Sequence, residues 1–474
     1  MSATRQYLTN TAAQALGRTA SFTVGFLVFV LIARFLGTES FGRFSYVLAL
    51  LSLFVALAEF GTNGVLARGI VHQAPEKAPS YWGNFLLRRV GLAFLAMAAA
   101  GITAIFISSE LSGLLLLGAL ALPALSSRFF EPIYQVFSRP WYSAYASLGY
   151  SLFYLLAVVA VLQLNGDLWS VYGAYLSANF VYTLLALVLA LRLLKPRFRP
   201  DAQILGSIFR LAFPIGLAAF FVMVNTRADV IMIAHLMTDE AVGIYNSAFR
   251  FLELTALFAV VLANPTIPIF SHLAIENRSA LRLTVTTAIE SIAVIVLPVI
   301  IVIPLVSPWL VLFLFGETYA GAAPIMNILA WAGWLTFYSV LSFAVCVAIG
   351  VVHFAYWSAA LAAAINILLN LHLIPVYGLL GAAWATVVSE IILLGIALIF
   401  ITRHLGSVLR ATVWARMLIP AGTFAAIVHL SGLHPAAGIL LGIIIYGVLV
   451  VGLGLSPLAG WYTLRNSRRA TGKE

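Results

Sequence analysis

Charge is what this chain has least of. Only 9% of its 474 residues are Asp, Glu, Lys or Arg, against roughly a quarter in an ordinary soluble domain. A water-soluble fold this poor in charge would leave large apolar patches facing solvent and aggregate. Cysteine is reduced to Cys346, set inside an apolar run, which excludes a disulfide framework and a cysteine metal centre. Acidic residues are scarcer than basic ones, 16 against 26 for a net charge of +10. The bases are spread among short polar stretches instead of forming a patch, so no nucleic-acid footprint exists. Catalytic signatures are missing as well. There is no G-x-x-x-x-G-K-[ST] for ATP hydrolysis, no H-E-x-x-H, no Ser/His/Asp grouping, and no large polar loop to house glycosyl transfer or polymerisation. The expectation is a non-enzyme whose solvent is lipid, without a cofactor.

What is abundant fits that solvent: 63% of residues are hydrophobic and the mean hydropathy is +1.05. Crossing the hydrocarbon takes about 20 apolar residues per helix. By that ruler the chain is an all-α integral membrane protein of about fourteen helices, near 12–36, 42–67, 85–108, 111–137, 141–164, 168–194, 205–233, 240–270, 281–315, 321–349, 352–374, 378–402, 411–431 and 435–462. The ninth is expected to break at its prolines, with 308–315 as a continuation. The first run is too long for a signal-peptide core and is read as retained. Twenty of the 26 Lys and Arg, among them Arg68, Arg88, Arg89, Arg139 and Arg192, fall on alternate connections and at the two ends. The intervening connections carry Glu39, Glu110, Asp167, Asp239, Glu240 and Glu317, with Arg43 their one clear base. The positive-inside rule then puts both termini in the cytoplasm.

A repeat runs through this pattern. Ala33-Arg34-Phe35-Leu36-Gly37-Thr38-Glu39-Ser40-Phe41-Gly42 recurs at an offset of 201 as Ala234-His235-Leu236-Met237-Thr238-Asp239-Glu240-Ala241-Val242-Gly243. A second trace pairs Gly173-Ala174-Tyr175 with Gly381-Ala382-Ala383 at an offset of 208. Repeats of this kind build many secondary transporters, with the substrate site between the halves. The expected division is an N-terminal lobe over 1–200 (helices 1–6), a second lobe over 201–403 (helices 7–12), and helices 13–14 with a basic tail over 404–474.

Ionisable residues inside spans are costly and mark cavities or partners. Arg18 shares a face of helix 1 with Gln14, Ser21 and Gly25 by 3–4 spacing. Glu59 lies on a stripe of helix 2 with Ser45 and Ser52. Arg128, Glu131 and Gln135 line helix 4, and Asn246, Arg250 and Glu253 line helix 8. Asn225 and Asp229 share a face of helix 7, with Arg227 turned away from it and both charges near enough to the helix end to reach the interface. Asn366 with Asn370, and Thr386 with Glu390, mark helices 11 and 12. Arg128–Glu131 and Arg250–Glu253 sit at the i,i+3 spacing of a direct pair, so each is read equally as a structural pair or as part of a site. Arg18 has no acid one turn away on its own helix. Four arginines in a lipid-embedded bundle suggest an anionic cargo, because guanidinium binds phosphate bidentately and stays charged. The acids then either hold the arginines or carry H+ or Na+.

Several stretches resemble a known family, the bacterial polysaccharide transporters or Wzx-type oligosaccharide-lipid flippases. Their larger group includes the multidrug and toxic-compound extruders and the lipid II flippases. The resembling stretches are Leu36-Gly37 to Phe41-Gly42, Glu59-Phe60-Gly61, Thr226-Arg227-Ala228-Asp229, Val242-Gly243-Ile244-Tyr245-Asn246-Ser247-Ala248-Phe249-Arg250, Leu314-Phe315-Gly316-Glu317-Thr318-Tyr319-Ala320 and Pro375-Val376-Tyr377-Gly378-Leu379-Leu380-Gly381. The resemblance implies two pseudo-symmetric six-helix lobes around a central cavity plus two C-terminal helices. It implies a polyprenyl-diphosphate-linked glycan moved to the outer leaflet of a bacterial inner membrane by alternating access, in a monomer, with a glycan polymerase as candidate partner. Arg18, Arg128, Arg250 and Arg227 are the expected diphosphate ligands, and Glu59, Glu131, Asp229 and Glu253 the charge partners or ion-coupling groups. The rivals are a lipid II flippase and a cation-coupled drug exporter. Against the first, Phe26 to Val30 stand where lipid II flippases carry an Arg-Asp pair. Against the second, drug extruders have twelve helices and an acidic cavity.

Overall fold

The computed structural model describes residues 3–71, 76–263, 266–430, 432 and 434–455, with side chains at 3–16, 18–19, 63 and 352–356 left aside. Among the described residues the chain is helical throughout. The segments, in order, are α1 (3–36), α2 (38–59, resuming as Thr62–Val71), α3 (Ala78–Ala104), α4 (Ser109–Leu120 and a broken run to 136), α5 (Trp141–Gln163), α6 (Leu168–Leu191) and α7 (Ala202–Leu236). They continue with α8 (Asp239–Ala263, then Thr266–Glu276), α9 (Arg278–Phe315), α10 (Ala322–Ala348), α11 (352–377), α12 (379–405), α13 (Ala411–Leu430) and α14 (Pro435–Gly452). Among the described residues, eleven stretches are long and apolar enough to cross a membrane. Two of these, Ala20–Val71 and Trp357–Leu405, each hold two helices, meeting at Gly37 (φ 71°) and Gly378 (φ 60°). Only glycine takes such a left-handed φ without strain.

Three boundaries differ from those that hydropathy predicts. α3 starts at Ala78, about two turns earlier than expected, so Arg88 and Arg89, expected in its first turn beside the flanking bases, lie well inside the helix. Helix 4 is interrupted: its first piece stops at Leu120, and Pro123, a 3-10 turn over Ser127–Phe130 and Pro132 follow. Prolines remove backbone donors and force such breaks. Conversely α9 passes Pro298, Pro304 and Pro308 unbroken through Phe315, as membrane helices do when neighbours re-satisfy the freed carbonyls.

Contacts divide the chain into two units, Met1–Gly243 and Ile244–Glu474. In the first, Trp82, Phe85, Phe129, Tyr134 and Tyr182 pack α3, α4 and α6 together, and the Tyr134 hydroxyl donates to Ala186 O at 2.7 Å. Asn84, fully buried, donates to Arg199 O and accepts from Asp201 N, fastening the α6–α7 linker to α3. Asp167 caps α6 by accepting from Ser170 N at 3.0 Å and Ser170 Oγ at 2.7 Å. The Ser170 hydroxyl bond above all holds the Asp167 carboxyl below the usual carboxylate range. In the second unit one core gathers Ile289, Tyr338, Val345, Cys346 and Ile401. Another seats α13 and α14 on α9 through Phe424 and Tyr446, whose hydroxyl donates to Val294 O at 2.8 Å. Phe94, Leu95, Ile102, Leu156 and Ile295 remain exposed, as the lipid face of a spanning bundle requires.

Candidate functional site

The first unit is organised around a break in α2 at Glu59-Phe60-Gly61-Thr62. Phe60 (φ 28°) and Gly61 (φ 72°) leave the helical conformation where α2 crosses α7 backbone to backbone. A Cβ on Gly61 would stand 2.3 Å from Ala212 O, and one on Gly216 would stand 2.5 Å from Phe60 C. Small residues allow membrane helices this approach. The Thr62 hydroxyl donates back to Glu59 O. Arg89 enters from α3, 4% exposed. Its Nη1 donates to Thr62 Oγ1 at 2.8 Å and its Nη2 to Ser126 O in the α4 break. The guanidinium lies 4.6 Å from the Phe129 ring centroid. Non-helical backbone at membrane depth persists only when buried in protein or lining a cavity, and Arg89 joins two such breaks. By sequence Arg89 counts among the loop bases, because an Arg-Arg pair at an expected helix end looks like a cytoplasmic flank.

Arg128 differs from Arg89 in being exposed, and it stands on the 3-10 turn of the α4 break. Tyr182, Glu131, Tyr150 and Glu59 all act on its charge, and the Tyr182 hydroxyl lies 3.4 Å from Glu131 Oε1. Tyr175 of α6 feels both Arg128 and Arg227. Four of the expected site residues, Arg128, Arg227, Glu59 and Glu131, are therefore brought together with a group of tyrosines. Asp229 is 1% exposed, so it does not reach toward the headgroups as its place near the helix end suggests. Sequence reasoning misses the tyrosines, although Tyr175, Asn179 and Tyr182 repeat at 3–4 spacing on one face of α6. Tyrosine is common in any apolar span, which dilutes that signal.

In the second unit Arg250 Nη1 meets Glu253 Oε2 at 2.6 Å, with the two side chains 22% and 21% exposed. The i,i+3 spacing thus forms its pair. Asn370 donates to Asn366 at 3.0 Å, both buried, and Ser339 Oγ donates to Glu390 Oε2 at 2.7 Å. The Arg18 side chain lies outside the described residues. Among the described residues no group of three or more His, Cys, Asp or Glu could hold a metal ion.

The two copies of the repeated turn meet. A Cβ on Gly42 would lie 1.7 Å from Asp239 O, and one on its repeat partner Gly243 would lie 2.1 Å from Thr38 O. Arg43 stands over this crossing. Its Nε donates to Asp239 at 3.0 Å, Nη1 to Glu110 at 2.9 Å and Nη2 to Glu39 at 2.7 Å. Acids that belong to three separate connections in the sequence thus converge on the one base among them.

Known proteins resemble this chain at several levels. The family model described as polysaccharide biosynthesis protein matches residues 7–274, and the model for the lipid II flippase MurJ matches 171–447. A teichuronic acid biosynthesis protein, TuaB, of Bacillus subtilis is 30% identical over 23% of this chain and 23% of its own length. A probable low-salt glycan biosynthesis flippase, Agl15, of Haloferax volcanii is 25% identical over 41% of each chain. The chain thus spans well under half the length of these curated relatives. The solved inward closed form of the lipid II flippase MurJ superposes with a TM-score of 0.77 at 13% identity, covering 92% of this chain and 97% of that one. An inward-facing multidrug resistance transporter of the MATE family superposes with a TM-score of 0.65 at 15% identity, over 82% and 95%. At such identities the likeness establishes the fold, that of the MurJ and MATE transporters.

Proposed function

The chain belongs to the polysaccharide biosynthesis protein family, and from that premise we propose that it is a flippase for a polyprenyl-diphosphate-linked oligosaccharide. It moves the glycan from the cytoplasmic to the outer leaflet by alternating access and catalyses no covalent step. The observation that carries this reading is Arg128: a permanent cation on the break of α4, exposed, with Glu59, Glu131 and the tyrosines acting on its charge. In a low-dielectric site a guanidinium can exchange a carboxylate for a diphosphate without changing its own charge. Arg128 and Arg227, with Arg250 and Arg18, form the diphosphate ligands. Glu59, Glu131, Asp229 and Glu253 hold those bases between cycles or carry H+ or Na+, while the polyprenyl tail stays in lipid. Tyrosine hydroxyls and rings suit sugar hydroxyls and faces. The distribution of Lys and Arg supports a bacterial cytoplasmic membrane with both termini inside. The protein works as a monomer of two six-helix lobes, 1–200 and 201–403, with 404–474 appended, and a glycan polymerase is its candidate partner.

The match of the MurJ model to 171–447 favours lipid II as the second reading. The apolar Phe26-Leu27-Val28-Phe29-Val30 stretch in α1 argues against it. Complementation separates the two. In a strain lacking its glycan flippase, Arg128→Ala and Arg250→Ala at unchanged protein level are expected to reduce surface glycan tenfold or more, since losing one charged contact in such a site costs about 2–5 kcal/mol. Arg128→Lys should restore part of it. Full export by both alanine variants, or rescue only of a strain lacking its lipid II flippase, rejects the proposal.

A further inference from the structure

One carboxylate within a span of the second unit has no cation beside it among the described residues. Glu390 lies on α12 (379–405), about 18 Å along the axis from Gly378 and about 22 Å from Leu405 at 1.5 Å per residue. That is the middle of a hydrocarbon layer about 30 Å thick. Among the described residues its one hydrogen bond comes from Ser339 Oγ on α10, at 2.7 Å, and no basic side chain acts on it. The other acids within spans are different. Glu253 pairs with Arg250, Glu290 with Arg410, and Glu59 and Glu131 lie beside Arg128. Among the titratable groups on neighbouring helices, Tyr338 on α10 is engaged by Trp334, Glu290 on α9 by Arg410 and Glu253 on α8 by Arg250, while Tyr245 on α8 faces Thr386. A bare carboxylate with a single hydroxyl donor is not stable in such surroundings. It must take up a cation or a proton.

Of the two, the proton is the simpler occupant: it needs no ligand beyond the carboxylate and the Ser339 hydroxyl, whereas a hard metal cation gathers about six or more oxygens. One helical turn from Glu390 stands Thr386, whose Oγ1 is 3.5 Å from the Tyr245 hydroxyl near the start of α8. Two polar contacts, Ser339 with Glu390 and Thr386 with Tyr245, thus lie one helical turn apart on α12, the second nearer that end of the bundle.

We propose that Glu390, held by Ser339, is the proton-coupling group of this transporter. It takes a proton from water on one side to form the neutral acid and returns it to water on the other as the bundle changes state. The inference rests on the flippase reading for what the proton drives, but not for the proton site itself. Two measurements keep these apart. In purified protein, difference infrared spectroscopy across a pH titration should show a protonated-carboxyl band that is absent in Glu390→Gln and moves to another midpoint in Ser339→Ala. A spectrum unchanged by Glu390→Gln overturns the proposal whatever the substrate. In proteoliposomes, a pH gradient should accelerate flipping of a labelled polyprenyl-diphosphate glycan at least severalfold in the wild type, and leave Glu390→Gln unaffected while it still exchanges the lipid at the ungraded rate. A response to a sodium gradient alone, or a pH response retained by Glu390→Gln, refutes proton coupling at this residue. A wild type that shows the infrared band but flips no such glycan rejects the flippase reading and leaves the proton site standing. Should Glu390→Gln fold poorly, Ser339→Ala and Glu390→Asp carry both measurements.

Discussion

Arg89 and Arg128 each place a guanidinium in the first unit, and their surroundings differ in kind. Arg89 is buried, shared between Thr62 and Ser126 O and stacked on Phe129. Its hydrogen-bond partners are uncharged and fixed to broken backbone, while Glu59 acts on it through charge alone, so its work is to bind α2, α3 and α4 to one another. Arg128 is exposed and its neighbours are ionisable. The two substitutions should therefore separate stability from transport. Arg89→Ala leaves buried acceptors unpaired and is expected to destabilise the fold by on the order of 3 kcal/mol, seen as a clear drop in the unfolding temperature in detergent. Arg89→Lys, which keeps the charge but not the fork, should fall between. Arg128→Ala should unfold within about two degrees of wild type while losing export. Equal thermal losses for both residues would contradict this division.

At the scale of the element, the decisive feature is where helices are interrupted. α2 breaks at Phe60-Gly61 because α7 passes too close for any side chain there. A Cβ on Gly216 would meet carbonyl and carbon atoms of Phe60, which are backbone and cannot move aside. Gly216→Ala is expected to cost about 1–3 kcal/mol by overpacking. Gly61→Ala adds the strain of a left-handed φ, roughly 1–2 kcal/mol. Gly91 and Gly206, where an added Cβ would meet nothing within 4 Å, supply the controls: alanine at either should leave the yield of monodisperse protein unchanged. A normal yield from Gly61→Ala would mean the crossing is looser than its geometry.

At the scale of the molecule, the repeated turn is the element through which duplication becomes mechanics. Gly42 and Gly243 occupy equivalent places in the repeat and lie against each other's backbone, while Arg43 gathers Glu39, Glu110 and Asp239 around the same crossing. On the proposed alternating-access cycle, this crossing separates and rejoins. Thr38 Oγ1 and Glu240 Oε1 are 3.5 Å apart, so cysteines at these positions lie within reach of a short, reducible bifunctional thiol reagent. Thr38→Cys with Glu240→Cys is expected to be bridged by that reagent and to stop glycan export until reductant is added. Cys346, the one native thiol, is buried and gives little background. Undiminished export by the crosslinked protein would show that the turns stay together throughout transport.

Lipid as solvent, an all-helical chain of about fourteen spans and the duplication were decided by the sequence alone. Each depends on composition and on period, which a linear string carries in full. The i,i+3 pair Arg250–Glu253 was legible for the same reason, since one helix turn fixes its geometry. What only tertiary structure decided were contacts between residues far apart in the chain. The start of α3 at Ala78 turned Arg89 from a flank into a buried tie. The prolines of α4 broke it where those of α9 did not, because neighbouring helices determine whether a freed carbonyl finds a donor. Tyr175 became a shared neighbour of Arg128 and Arg227, and Glu390 found Ser339 as its one hydrogen-bond partner among the described residues, through the packing of spans that the sequence lists one after another. Local periodicity names the faces of helices; which faces meet, and which charges they enclose, is settled by close packing of the whole bundle.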